Sequence, residues 1–352
     1  MATDTPIDLF LSLTPEKVLA AVEAAGLRTN PVCYPLNSFE NRVYEVELED
    51  RTRIVGKFYR PGRWTEAQIL EEHRFMADLA AAEIPICGIL PFPDSSTLKQ
   101  VDDDIYYCLY PRQGGRAPEE LTEAMASRIG MLLGRLHNAG AAGEAPHRVR
   151  LCGDTYVRED LEWLLSHDTI SAGWTSRYAA AANALADTAD DWMRGLPTHR
   201  VHGDFHLGNL LLRDDVVHVL DFDDMVVGPA VQDIWLCLPG RDDWTTRLRD
   251  ALLKAYATFR EFDRSSLRLV EPLRGLRMVH YAAWLARRWH DPVFPTTWPH
   301  FGTESYWSEE TLALEELLRM VRSGVAEEGG AAPPAEPEEE LTNADFFFDW
   351  DG

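Results

Sequence analysis

The stretch from His202 to Asp223 constrains the fold more than any other part of the chain. It reads His202-Gly203-Asp204-Phe205-His206-Leu207-Gly208-Asn209, then two short apolar runs around Asp214–Asp215, then Leu220-Asp221-Phe222-Asp223. Short apolar runs broken by a pair of turn-forming acids predict a β-hairpin over 209–222. Such a hairpin carries an Asp and an Asn on the loop at its entrance and a second Asp at its exit, so three oxygen-bearing side chains converge on one site.

Phosphoryl transfer needs that set of groups. A carboxylate must meet the acceptor hydroxyl, and fixed oxygen ligands must hold a divalent cation against the nucleotide phosphates. Magnesium favours such hard oxygens. Asp204 is therefore read as the catalytic base or acceptor-orienting carboxylate, and Asn209 and Asp221 as magnesium ligands. A rival reading is metal-dependent hydrolysis, because His202, Asp204 and His206 alternate as zinc or iron ligands do. That set lacks a partner cluster elsewhere, whereas Asn209 and Asp221 supply the phosphotransfer arrangement.

The rest of the chain divides into two kinds of pattern. Residues 14–25 and 65–82 have helical spacing, the first with Thr14 as cap, Pro15 at the first helical position and Gly26 as stop. Around them lie strand-like runs at 43–48, 53–59, 97–101 and 105–110, with Asp50–Arg51 as a turn. From about residue 118 helical stripes dominate, at 125–136, 156–166, 176–194, 246–261 and 265–290, interrupted only by the 209–222 hairpin. The expected class is α+β: a small sheet-containing N-terminal lobe over 1–111, a mostly helical catalytic lobe over 112–322, and an acidic tail over 323–352 with too few apolar residues to fold alone.

HGDFHLGNLL, a hairpin and LDFDD together resemble the aminoglycoside-phosphotransferase and choline-kinase superfamily. Ordinary protein kinases would carry Arg at Gly203 and Gly at Asp223. Longer stretches narrow the likeness: LNSFENRVYEVE, VGKFYRPGRWTEAQILEEH, GPAVQDIW, and VEPLRGLRMVHYAAWLARRW followed by DPVFP are similar to the bacterial stress response kinase A family, in order over roughly residues 5–320. The resemblance implies a bilobal, protein-kinase-like fold and a serine/threonine protein kinase of the bacterial cytoplasm tied to stress response. It implies ATP and magnesium as cofactors. The phosphotransfer motif by itself leaves open a small-molecule kinase for an alcohol or amino alcohol, and a pseudokinase scaffold.

Further site residues follow from the same frame. Lys57, on the strand IVGKFY, is placed to reach the nucleotide α- and β-phosphates. Its carboxylate partner is one of Glu66, Glu71 and Glu72, and the superfamily pattern selects Glu72. Asn37–Arg42 occupies the place of the nucleotide-covering loop yet has no glycine, so Ser38, Asn41 and Arg42 are expected to supply side-chain donors. Tyr110 falls in the segment joining the lobes, where adenine would bind. Asp233 is read as a prop of the catalytic loop, His137 and the Tyr281, Trp284 and Trp289 stripe as core, and Arg287 and Arg288 as groups that could meet an acidic acceptor.

Charge removes other function classes. The net charge is −24, with −9 in the tail from Ser323 onward and about −15 in the body. Non-specific nucleic-acid or anionic-membrane binding requires clustered basic residues instead. Five scattered cysteines form neither a disulfide framework nor a zinc signature. No leader peptide and no apolar run of about 20 residues is present, so a cytoplasmic, monomeric protein is expected.

Overall fold

The computed structural model describes residues 10, 12–101, 105–118 and 121–324. The acidic tail lies outside the described residues from 325 onward.

The N-terminal lobe is a five-stranded antiparallel sheet, with helices ahead of it and within it. Helix α1 (Pro15–Ala24) starts at Thr14, whose hydroxyl accepts from the Lys17 amide. Strands β1 (Thr29–Leu36), β2 (Arg42–Leu48), β3 (Arg53–Phe58), β4 (Lys99–Val101) and β5 (Ile105–Pro111) lie in the order β1-β2-β3-β5-β4. Strand β1 carries Pro31 and Pro35, which cannot donate to a ladder. It sits at the sheet edge, where that loss is tolerated. Helix α2 (Glu66–Ala81) opens with a capping box between Thr65 and Gln68, and buries Ile69, Phe75, Met76 and Leu79.

The C-terminal lobe is helical around one interruption. Helix α3 (Glu123–Ala142) leads through α4 (Glu159–Ser166) and α5 (Thr175–Met193) to strand β6 (His199–Val201). Strands β7 (Leu210–Arg213) and β8 (Val216–Val219) form the expected hairpin. Asp214 and Asp215 both have positive φ, 49° and 61°, as a two-residue type I′ turn requires. Strand β9 (Val226–Gly228) then returns to pair antiparallel with β6. The β6–β9 pair thus clamps the two ends of the segment 202–225, while the hairpin spans its middle. Helices α6 (Val231–Cys237), α7 (Asp243–Tyr256), α8 (Val270–Arg288), α9 (Val293–Thr297) and α10 (Glu304–Ser323) complete the lobe. One core gathers around α5, α8 and α10, and a second around α3, α7, Phe205 and Phe222.

Helices α3 and α7 meet through glycine. A Cβ on Gly130 would stand 2.1 Å from the Leu252 carbonyl oxygen, and one on Gly134 2.8 Å from that of Tyr256. In an open helix Gly→Ala stabilises by up to about 1 kcal/mol. Here the sign reverses: Gly130→Ala should destabilise by about 1–3 kcal/mol through overpacking. Urea unfolding reads this directly, and an unchanged or higher stability would contradict the close helix contact.

Candidate active site

The catalytic-loop segment is built by alternating anchors and acids. Phe205 and Phe222 are buried in the core, and the His202 ring packs on both, at 5.5 and 4.7 Å between centroids. Their neighbours Asp204, Asp221 and Asp223 are thereby held beside the cleft. Gly203 has φ +87°, and a Cβ there would fall 2.1 Å from the Asp224 carbonyl oxygen, so only glycine lets the loop approach the strand exit this closely. Asp221 itself takes a left-handed conformation, φ 49° and ψ 76°, which Asp tolerates better than most residues.

Asp233, at the start of α6, holds the loop from beneath. Its two carboxylate oxygens accept from the His202 and Gly203 amides, both at 2.9 Å, and the His137 ring adds a contact at 3.0 Å. The Gln232 amide donates to the Gly203 carbonyl at 2.9 Å. His202 is fully engaged: Nε2 bonds the Leu220 carbonyl at 2.7 Å, and Nδ1 accepts from the Asp204 amide at 3.3 Å. A histidine with both nitrogens spent inside the loop is not a metal ligand. Among the described residues, no group of three or more His, Cys, Asp or Glu is arranged to hold a metal ion. The engaged His202 ring speaks against the hydrolase alternative, which needs that ring as a ligand.

Asp204 is gripped from two sides. Arg277 Nη1 donates to Oδ1 at 2.8 Å, and His206 Nε2 lies 3.3 Å from Oδ2. Burial opposes the charge on Asp204, but Arg277 and His206 outweigh it and hold the carboxyl well below its ordinary pKa. The Asn209 side-chain amide nitrogen donates to the Asp204 backbone carbonyl at 2.9 Å, which fixes the orientation of that side chain.

Lys57 faces three carboxylates. Its Nζ is 2.9 Å from Asp221, 3.1 Å from Asp223 Oδ1 without hydrogen-bond alignment, and 3.7 Å from Glu72. Burial opposes the ammonium charge, yet the three acids raise its pKa well above the usual lysine value. Glu72 is the most distant of the three, and its Oε2 has no hydrogen-bond partner. Burial therefore pushes it up to about 7 despite the pull of Lys57. Asp223 is also held by Arg63, which bonds Asp224 as well.

Glu71 and Glu72 divide their tasks. Glu71 turns away from Lys57 and accepts from the backbone amides of His147, at 3.0 Å, and Arg148, at 2.9 Å. Arg148 in turn donates to the carbonyls of Asp223 and, at 2.9 Å, Met225. Helix α2 thus reaches the site by two routes, one through the lysine and one through the backbone after Asp221.

The loop Asn37–Arg42 is fastened rather than glycine-flexible. Asn41 is buried, its side chain accepting from the Arg60 amide at 3.2 Å. Ser38 Oγ accepts from the Asn41 amide at 3.3 Å, and the Arg42 guanidinium lies 5.3 Å from the centre of the Phe10 ring. At the loop tip, Phe39 packs on Trp298 at 4.8 Å. Glu40 accepts from the Trp284 indole at 2.5 Å and from Arg288 at 2.8 Å. Arg288 and Arg287 are thus already paired, Arg287 with Asp160 at 2.6 Å. Tyr110, on β5, packs near Tyr59 and Cys108, and its hydroxyl lies within the field of Lys57 and Glu72.

Sequence reasoning missed Arg63, Arg148 and Arg277. Arg277 lies 73 positions from Asp204 and no local pattern joins them.

The two-lobed fold and this constellation define a phosphotransferase. A model of the phosphotransferase enzyme family matches residues 33–270. Stress response kinase A of Escherichia coli strain K12 is 37% identical over 314 residues, 89% of this chain and 95% of that protein. Serine/threonine protein kinase RdoA of Salmonella typhimurium strain LT2 is 36% identical, covering 89% of this chain and 94% of that protein. Among solved structures, an amicoumacin kinase in complex with AMP-PNP, Ca2+ and Ami superposes with TM-score 0.68 at 19% identity, over 87% of this chain and 93% of that one. A microcompartment-associated aminopropanol kinase gives 0.62 at 18% identity, over 89% and 98%. The chain belongs to the phosphotransferase enzyme family and is a kinase closely related to the stress response kinases. Among the described residues, no helix is long and apolar enough to cross a membrane.

The divided glutamates make a paired prediction. Glu71→Ala should lower stability by about 1–3 kcal/mol, the penalty of unpaired buried amides. Glu72→Gln should unfold like the parent yet lose at least about tenfold in turnover, the scale of a displaced catalytic group. Chemical denaturation and a labelled-ATP assay on both variants decide it. A swapped pattern would make Glu71 the partner of Lys57.

Proposed function

We propose that this kinase transfers the γ-phosphoryl group of ATP to a serine or threonine hydroxyl of a protein, with magnesium as the divalent ion. The observation that carries the chemistry is the convergence of Asp204, Asn209, Asp221 and Lys57 on one cleft, each fixed by backbone contacts or ion pairs. The donor set fits magnesium, which takes few protein oxygens and completes its shell with phosphate oxygens and water. Asn209 and Asp221 would hold the ion. When bound, it would neutralise charge on the phosphates.

The chain's own groups then have distinct tasks. With Asp221 serving as a ligand of the ion, Lys57 would be available to meet the nucleotide phosphates. Glu72, 3.7 Å from the ammonium, would serve as the lysine's partner from its own helix. Asp204 accepts the hydrogen bond of the acceptor hydroxyl and orients it in line with the γ-phosphorus. The loop tipped by Phe39 and Glu40 roofs the cleft. Protein acceptors are favoured by the names of relatives at 36–37% identity. The same geometry serves a small alcohol, which is the alternative outcome of the test. We read it as a cytoplasmic enzyme, and its net charge of −24 supports action without nucleic-acid or anionic-membrane partners.

Incubating the protein with γ-labelled ATP, magnesium and either a cytosolic protein extract or a panel of alcohols and amino alcohols tests the proposal. Label is expected on Ser or Thr of proteins. Label confined to small alcohols would overturn the protein-acceptor reading. Asp204→Ala should retain nucleotide binding and lose at least about 10²-fold in turnover, the scale of a lost general base. Near-parental turnover in that variant would remove Asp204 from the reaction.

A further inference from the structure

We propose that Arg277, on helix α8, is a positioning residue for the acceptor hydroxyl. It acts by fixing the carboxylate of Asp204, and the inference rests on the reading of Asp204 given above.

The geometry sets Arg277 apart from the other groups around that carboxylate. His206 and Asn209 belong to the same loop as Asp204, at 3.3 Å and 3.5 Å from Oδ2. A loop cannot fix its own side chains better than it is itself fixed. Arg277 reaches the other oxygen, Oδ1, at 2.8 Å from a different element. That element is rigid: Leu273, Leu276, Val279, Ala282, Ala283 and Leu285 of α8 are all buried in the core. Gly275 adds a close approach, since a Cβ there would stand 2.7 Å from the Leu185 side chain of α5. The guanidinium is thus mounted on a well-buried helix and aimed at the carboxylate read as meeting the acceptor. Supporting a functional side chain from a rigid element in this way improves its aim more than a loop contact does.

The chemistry also favours a cation at this place. In phosphoryl transfer through a loose transition state, little proton abstraction is demanded early, and orientation of the nucleophile dominates. A carboxylate tied at Oδ1 to arginine leaves Oδ2, whose contacts to His206 and Asn209 are longer at 3.3 and 3.5 Å, as the oxygen to accept from the incoming hydroxyl, with one rotamer selected. A strongly basic carboxylate free to rotate would serve less well. Lysine at 277 would supply the charge without the planar fork, and so part of the effect.

The test uses the full chain, γ-labelled ATP with magnesium, and myelin basic protein or water as phosphoryl acceptor. Arg277→Met keeps the aliphatic packing and removes the cation; Arg277→Lys restores it. Arg277→Met is expected to lower kcat at least about tenfold, in the range of a small misplacement of a reacting group. Nucleotide Kd should stay within about twofold of the parent, and Arg277→Lys should recover part of kcat. In an Asp204→Asn background, adding Arg277→Met should cost little more, because the two residues act as a unit. A parental kcat in Arg277→Met overturns the inference. So does an undiminished loss in the Asp204→Asn background, or a loss confined to nucleotide affinity. If Arg277→Met fails to fold, Arg277→Lys carries the same comparison, and an Arg277→Lys enzyme with neither altered kcat nor coupling to Asp204 overturns the inference equally. Near-parental turnover in Asp204→Asn alone instead defeats the underlying reading of Asp204, whatever Arg277 does.

Discussion

One lysine ammonium, nearly excluded from water, faces more negative charge than it can neutralise. Lys57 touches Asp221 and Asp223 from one lobe and Glu72 from its own. A buried ion of this kind persists only when several partners hold it, since removing either sign alone leaves an uncompensated charge. The surrounding arginines answer that need. Arg63 crosses from the N-terminal lobe to Asp223 and Asp224, and Arg148 braces the backbone at Asp223 and Met225. The cluster is overdrawn toward Asp221 and Asp223, and Glu72 takes the weaker place. On the proposed reading, a cation held by Asp221 would leave Glu72 as the lysine's partner.

The same constraint explains the backbone. Asp221 must leave the β8 strand, meet the lysine and let Phe222 enter the core, and it does so through a left-handed conformation. Gly203 must let the facing loop close to within contact of Asp224. Asp233 then satisfies the two amides that this turn exposes. The loop at 37–42, which has no glycine, is held by fixed contacts. Arg60 meets Asp291 at 3.4 Å, and Glu40 meets Trp284 and Arg288, so side chains join this loop to the C-terminal lobe.

Much of this was legible in the sequence because it is local. The hairpin and its acidic turn, the capped helices, and the placing of Asp204, Asn209 and Asp221 on one loop and hairpin all follow from near-neighbour spacing. The bilobal α+β expectation held for the same reason. Strand β1 escaped because its two prolines argue against a central strand, and only the finished sheet shows that it is an edge. The three-residue strands β6 and β9 escaped because each is too short to show a period, and they pair only across the whole catalytic segment. Helix α10 was not read, although Thr303 caps it and Gly324 ends it in a left-handed turn. The choice between Glu71 and Glu72 needed geometry, since adjacent helix positions point about 100° apart and the spacing alone does not say which faces Lys57. Arg287 and Arg288, expected to await an acidic acceptor, are spent on Asp160 and Glu40, whereas Arg277 on the same helix reaches the catalytic loop.

The central claim is that Asn209 and Asp221 form the cation site and that Lys57 changes partners when it fills. The most direct measurement is a crystal structure of the protein with manganese and a non-hydrolysable ATP analogue, using the anomalous signal to locate the metal. The account predicts a manganese peak coordinated by Asn209 and Asp221, with Lys57 on the nucleotide phosphates and in contact with Glu72. A peak on His206 or elsewhere, or a nucleotide complex in which Lys57 still holds Asp221, would contradict it.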